Sequence, residues 1–125
     1  MLGAIIGDIV GSTREWHNVK SEEFELIPSG SHFTDDSVTT LAVAQWLMRD
    51  AHHKKETLIE CMQYWGRRYP HAGYGGMFHK WLLSHTPQPY GSYGNGSAMR
   101  VSAVGMYANS LEEAMELARI TAEVT

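Results

Sequence analysis

TDDSVTTLAVAQWLMR, residues 34–49, carries the clearest structural signal in the chain. Thr34 offers a hydroxyl that can cap the amides of the following turn. Asp35 and Asp36 then lie in that turn, where the helix dipole favours negative charge. From Val38 to Met48 the side chains are apolar nearly all round, a pattern typical of a helix buried on every side. The sequence therefore predicts a central helix that begins directly after Thr34.

The rest of the chain also favours helices. A polar loop is expected over residues 17–33, and Ser110 with Glu113 forms a capping box before the last helix. No segment alternates between apolar and polar residues for long, so the predicted class is all-α, in one domain over residues 1–125. Besides the central helix, we expect helices at residues 2–13, 56–69, 77–83, 96–107 and 111–123.

The first of these helices has two distinct faces. Gly3, Gly7 and Gly11 recur every four residues, which predicts a smooth face against which another helix packs closely. Asp8, Ser12 and Glu15 fall on a second, polar face.

The amino-acid composition limits the kinds of protein to which this chain can belong. Hydrophobic residues make up 43% of the 125 residues, as in an ordinary globular domain, and the net charge of -4 argues against a nucleic-acid binder. Cys61 is the single cysteine, which excludes an internal disulfide. Asp8 interrupts the apolar N-terminus, and no basic residue precedes it, so neither a signal peptide nor a membrane span is expected. We predict a cytoplasmic protein that does not bind membranes.

Two acidic features could carry chemistry. Thr34, Asp35 and Asp36 place several hard oxygens in a small volume, which suits Mg²⁺, Mn²⁺ or Ca²⁺ better than zinc. The alternative is ordinary capping of the helix start. Asp8, on an apolar helix, must be paired, hydrogen-bonded or metal-bound. Its alternative is a bond to the end of a neighbouring helix.

A glycine-rich segment, YGSYGNGSAMR at residues 90–100, could let backbone amides approach a ligand closely. Tyr90 or Tyr93 could stack on a base or a ribose. The alternative is a flexible connector, and the segment lacks the Walker pattern. The loop at residues 73–76 allows the same two interpretations, a ligand-binding loop or a flexible connector. None of the seven histidines has a zinc-binding spacing.

Three stretches together resemble the ADP-ribosylglycohydrolase family: GAIIGDIVGSTREW at 3–16, FTDDS at 33–37 and GNGSAMRVSAVG at 94–105. The resemblance implies a compact, orthogonal helical bundle with a binuclear magnesium centre, in which Mn²⁺ is a possible substitute. It also implies a hydrolase that cleaves the glycosidic bond between ADP-ribose and a modified protein side chain or small molecule.

The resemblance also implies individual roles. Thr34, Asp35 and Asp36 correspond to metal ligands, and Glu15 and Asp36 are the candidates for catalytic acid–base work. On this hypothesis an acidified water attacks the anomeric carbon while one of these carboxylates takes the proton. The loop HAGYGG, residues 71–76, is expected to border the pocket. The substrate-binding candidates are Gly94, Asn95, Gly96, Ser97 and Met99.

One part of the family pattern is missing. Family members are longer, and their second half carries an Asp-x-Asp motif that completes the metal centre. The four aspartates of this chain include no such motif. We therefore expect a truncated N-terminal half that self-associates or pairs with a missing C-terminal half. The alternatives are an inactive fragment, an ADP-ribose-binding module without catalysis, or a helical interaction protein.

Overall fold

The computed structural model describes all residues, 1–125. The chain forms helices and no strand, which confirms the all-α prediction. None of the helices has the length and apolar character needed to cross a membrane. In chain order the helices are α1 (Leu2–Gly11), α2 (Asp35–Arg49), α3 (Lys55–Arg68), α4 (Gly76–Leu83), α5 (Gly96–Met99), α6 (Ser102–Tyr107) and α7 (Leu111–Glu123).

Helix α2 is the centre of the fold, as its composition predicts. It packs against α1, α3, α5 and α6. Ala42, Val43 and Trp46 on this helix have no exposed surface. The Thr34 hydroxyl accepts a hydrogen bond from the Asp36 amide, which is the predicted cap. Burial is not complete all round, however, because the side chain of Met48 is 78% exposed at the last turn.

Two further helices follow their sequence signals closely. Leu58, Cys61 and Met62 form the buried stripe of α3. At the start of α7, the Ser110 hydroxyl accepts a hydrogen bond from the Glu113 amide at 3.1 Å. The Glu113 carboxylate in turn accepts one from the Asn109 amide at 2.7 Å. Both orphan amides are thereby satisfied, which fixes where the helix begins.

The single helix predicted over residues 96–107 is wrong. The chain forms two short helices, α5 and α6, because Arg100 and Val101 both adopt a ψ of -2°. Such ψ values lie outside the range of a regular α-helix. Arg100 is the physical reason for the break, since its side chain turns inward and donates to the Thr121 carbonyl in α7.

Helix α1 lies on the outside of the bundle. None of its residues is buried, and Leu2 and Ile6 are 76% and 55% exposed. The predicted close helix–helix contact at its glycine face is not formed. A Cβ added at Gly3, Gly7 or Gly11 would meet no atom within 4 Å. On its polar face, Asp8 hydrogen-bonds to the start of α2.

The close approach of α3 to α4 depends on Gly66. A Cβ at this position would lie 2.6 Å from two methyl carbons of Leu82, which is itself buried. We expect Gly66→Ala to lower the free energy of unfolding by about 2 kcal/mol through overpacking. Gly105→Ala in α6 is the matched control, because its Cβ would meet nothing within 4 Å. Urea unfolding that ranks the control as the less stable variant would contradict this packing.

Candidate functional site

Asp8 joins α1 to the start of α2. Its Oδ2 atom accepts hydrogen bonds from the backbone amides of Thr34 at 2.8 Å and Ser37 at 3.2 Å. Its carboxylate also accepts from the hydroxyls of the same two residues. A half-buried carboxylate at a helix N-terminus is stabilised both by these donors and by the helix dipole. Asp8 therefore bonds to the end of a neighbouring helix, which is one of the roles predicted for it from the sequence.

Asp8→Asn is expected to loosen this junction. An amide keeps one acceptor oxygen but turns an NH₂ group towards donors, so several of the bonds are lost. Bonds to a charged acceptor are the stronger kind, and we expect a loss of about 2 kcal/mol in the free energy of unfolding. Glu22→Gln, a change in the exposed loop before α2, is the control for loss of one negative charge. Equal urea midpoints for the two variants would contradict the role assigned to Asp8.

Next to this junction, Asp35 and Asp36 form an uncompensated acidic pair. Burial raises the pKa of Asp35 to about 7, with repulsion from Asp36 as the next cause and smaller repulsions from Glu15 and Asp8. The pKa of Asp36 is also raised, first by burial and then by Asp8, although the bond from Thr34 opposes the shift. None of the four ion pairs in the chain includes these two aspartates.

The loop at residues 71–76 lies against the same helix start. The Asp35 amide donates to the Ala72 carbonyl at 2.7 Å. Gly73 follows with a φ of 95°, a conformation that favours glycine, and a Cβ there would lie 3.9 Å from the Asp35 carboxylate. The Tyr74 hydroxyl is buried without a hydrogen-bond partner. Burial and the nearby Asp35 raise the pKa of Tyr74 to about 12.

A cleft of about 190 Å³ opens between this loop and the glycine-rich segment. Asp35 stands on its wall, and Tyr93 at its edge is 91% exposed. The two glycine loops, far apart in sequence, therefore meet around one cavity that also reaches the acidic pair. Its lining residues are Asp35, Gly75, Gly76, Met77, Phe78, Tyr90, Ser92, Tyr93, Gly94, Asn95, Gly96, Met99, Arg100 and Thr125.

The structure divides the candidate site residues into two groups. Gly94, Asn95, Gly96 and Met99 line the cleft, whereas Ser97 does not. In the second group, Thr34 is buried and Asp36 is half-buried, and neither lines the cleft. Glu15 lies just beyond α1, exposed, and close enough to raise the pKa of both aspartates. Only Asp35 belongs to both the acidic pair and the cleft.

The hydroxyl of Thr34 links the acidic pair to Asp8. It donates to Oδ1 of Asp8 at 2.5 Å and accepts from the Asp36 amide at 3.3 Å. One lone pair on this oxygen is left for another partner. No three histidine, cysteine, aspartate or glutamate side chains meet closely enough to hold a metal ion by themselves.

The whole sequence, residues 1–125, matches the family model described as ADP-ribosylglycohydrolase. The chain belongs to this family. It is similar to the ADP-ribosylhydrolase ARH3 of Mus musculus, with 28% identity over 155 aligned positions, and to that of Homo sapiens, with 27%. The Xenopus tropicalis ADP-ribosylhydrolase ARH3 is 26% identical. These alignments cover 100% of this chain but only 42%, 43% and 43% of those three proteins, so the chain spans less than half of their length.

Some residues that line the cleft were not predicted from the motifs of this ADP-ribosylglycohydrolase sequence. Phe78, Arg100 and Thr125 line the cavity. The sequence does mark Arg100 as a candidate, because it is a lone cation in the otherwise apolar run that follows the glycine loop. No sequence feature marks Phe78 or Thr125 as a site residue. Thr125 reaches the site because its carbonyl accepts hydrogen bonds from the amides of Tyr90 and Ser92.

Proposed function

We propose that this chain binds ADP-ribose in the cleft and belongs to a hydrolase that releases ADP-ribose from a modified protein side chain or small molecule. The observation that carries the proposal is the convergence of Asp35, the loop at residues 71–76 and the loop at residues 94–99 on one cavity. The family membership supports the reaction class, and the name of the similar proteins, ADP-ribosylhydrolase, agrees with it.

Magnesium is the metal we propose for the acidic pair, with Mn²⁺ as the substitute. Carboxylates without a compensating cation, beside a hydroxyl with a free lone pair, fit a hard cation. Thr34, Asp35 and Asp36 would hold the metal, and Asp8 aids them by accepting the Thr34 hydroxyl hydrogen. They are fewer than a full ligand set, but Mg²⁺ is commonly held by one or two carboxylates together with water and substrate.

The metal would supply Lewis acidity to the reaction. The chain's own residues have separate tasks in the proposed mechanism. Asp35 orients the ribose end of the substrate, because it is the carboxylate on the cleft wall. Asp36 or Glu15 moves the proton between the attacking water and the leaving group.

The glycine loop has a different task. Gly94 and Gly96 have no side chains, so a ligand can approach their backbone amides directly. The side chain of Asn95 adds hydrogen-bonding groups at the same wall. Tyr93, exposed at the edge of the cleft, offers an aromatic face on which a base can stack. These groups bind and orient the substrate without taking part in proton transfer.

Calorimetric titration of ADP-ribose into the chain, once with Mg²⁺ and once with EDTA, tests the proposal. We expect saturable binding that strengthens with Mg²⁺, and loss of that strengthening in Asp36→Ala. The control is Glu22→Gln, which changes an exposed carboxylate outside the site. Absence of binding in both conditions would overturn the assignment of the cleft.

A release assay then tests the reaction. Peptides modified with ADP-ribose on arginine or on serine are incubated with the chain, and free ADP-ribose is measured. Mg²⁺-dependent release from either peptide supports the hydrolase. Binding of ADP-ribose with no release from either peptide would contradict catalysis by this chain and would favour the binding-module alternative.

A further inference from the structure

Arg100 is a buried cation at the wall of the cleft. The residue is 1% exposed and lies between α5 and α6, where the chain leaves the glycine-rich loop. It lines the same cavity as Gly94, Asn95 and Gly96. A buried arginine is ordinarily paired with a carboxylate, because an isolated charge is costly to remove from water.

No carboxylate compensates this charge. Arg100 takes part in none of the chain's ion pairs. The other charged side chain on the cleft wall, Asp35, does not contribute to the pKa of Arg100. Burial lowers that pKa to about 10, while the phenol of Tyr90 acts in the opposite direction. The guanidinium therefore remains charged at neutral pH with no anionic partner in the chain.

The donors of the guanidinium are only partly used. Nη2 donates to the carbonyl of Thr121 and to the hydroxyl of Thr125, the latter at 3.0 Å. Nε is buried without a partner. Nη1 makes no hydrogen bond within the chain and lies 3.6 Å from the position that a Cβ on Gly96 would take. The missing side chain at Gly96 thus leaves Nη1 reachable from the cleft.

We propose that Arg100 is the anion-binding residue of the cleft and that its Nη1 side receives the diphosphate of the ligand. The inference rests on the proposed function, since ADP-ribose is the ligand that carries this diphosphate. A planar guanidinium matches phosphate oxygens in geometry, and the low-dielectric surroundings strengthen the attraction. Bound diphosphate would supply the counter-charge that no side chain of residues 1–125 provides.

A purely structural role is the competing explanation, because Nη2 also ties the loop to α7. Calorimetry with three probes separates the two: inorganic pyrophosphate, ADP-ribose and adenosine, the last of which has no phosphate. Arg100→Met removes the charge. The matched control is Arg67→Met, since Arg67 likewise makes two hydrogen bonds within the chain, to the carbonyls of Leu82 and Ser84, but lies outside the cleft. Circular dichroism and thermal unfolding establish that each variant is folded.

We expect Arg100→Met to weaken the binding of pyrophosphate and ADP-ribose by about tenfold or more, because a charge-assisted bond is lost, and to leave adenosine binding unchanged. Arg67→Met should bind all three probes as the unmodified chain does. Equal affinity of Arg100→Met and the unmodified chain for pyrophosphate and ADP-ribose would overturn the inference, while leaving the proposed function in place. A different result would refute the proposed function alone: the chain binds pyrophosphate, Arg100→Met weakens that binding, and no binding of ADP-ribose is detected.

A second variant decides the matter if Arg100→Met does not fold. Gly96→Ala keeps the charge and places a methyl group in ordinary contact with Nη1, which covers the side that faces the cleft. Gly94→Ala is its control, because a Cβ there would lie 3.9 Å from Ser92 Oγ and away from Arg100. Weaker pyrophosphate binding by Gly96→Ala than by Gly94→Ala, with both thermal midpoints unchanged, supports the inference. Unchanged pyrophosphate affinity in a folded Gly96→Ala chain would overturn it.

Discussion

Trp46→Ala is expected to lower the free energy of unfolding by about 4 kcal/mol, which is a large part of the stability of a domain of this size. Trp46 has no exposed surface and lies near the C-terminal end of α2, the helix that packs against α1, α3, α5 and α6. Its removal leaves a cavity in the core. It also leaves the Lys54 carbonyl without the indole N–H that donates to it at 3.0 Å.

Trp16→Ala is the matched control for this substitution. Trp16 is 83% exposed, and loss of an exposed side chain is expected to change stability by less than about 0.5 kcal/mol. Urea unfolding followed by far-ultraviolet circular dichroism compares the two variants at the same pH. Similar midpoints for Trp46→Ala and Trp16→Ala would show that the core is not organised around α2.

The second large effect is expected at Asp35, in the dependence of stability on pH without metal. The folded chain raises the pKa of Asp35 from 3.8 to about 7, mainly through burial. Between these values the folded state holds a proton that the unfolded state has released, so stability falls as pH rises through this window. Asp35→Asn removes this titration, and its stability should exceed that of the unmodified chain increasingly from pH 4 to pH 8.

Unfolding midpoints measured in EDTA from pH 4 to pH 8 test this expectation. Some pH dependence should remain in Asp35→Asn, because the pKa of Asp36 is raised as well. Glu22→Gln is the control and should follow the unmodified chain. A constant difference between Asp35→Asn and the unmodified chain across the range would contradict the raised pKa.

Magnesium provides a second comparison on the same variants, in buffer without EDTA. If Asp35 and Asp36 hold Mg²⁺ as proposed, the metal binds the folded state and stabilises it by mass action. At pH 8 the unmodified chain should gain stability with Mg²⁺ concentration, and Asp35→Asn should gain much less. Equal gains in both would indicate binding elsewhere on the chain.

The sequence predicted those helices whose ends and buried faces are determined locally. Thr34 before Asp35 and Asp36 gave the start of α2, and Ser110 with Glu113 gave the start of α7, because each cap bonds to an amide within three residues. The buried stripe of α3 follows in the same way from helical spacing. Local hydrogen bonds and periodicity are properties that a single segment carries by itself.

Features that depend on distant contacts were not predictable in the same way. The break between α5 and α6 follows from a bond between Arg100 and Thr121, which lies 21 residues further along. The open glycine face of α1 depends on what packs beside it, which spacing alone does not specify. The cleft also depends on contacts between residues that are distant in sequence. Its two loops were each ambiguous alone, and only the packing of the chain brings them together with Asp35.

Binding of ADP-ribose in the cleft beside the acidic pair can be mapped residue by residue. Amide chemical shifts are followed by nuclear magnetic resonance as ADP-ribose is added in the presence of Mg²⁺. We expect the largest shifts at Asp35, Gly75, Gly94 and Gly96, which line the cavity. Shifts confined to the exposed faces of α1 and α7, or no shifts at any ligand concentration, would contradict it.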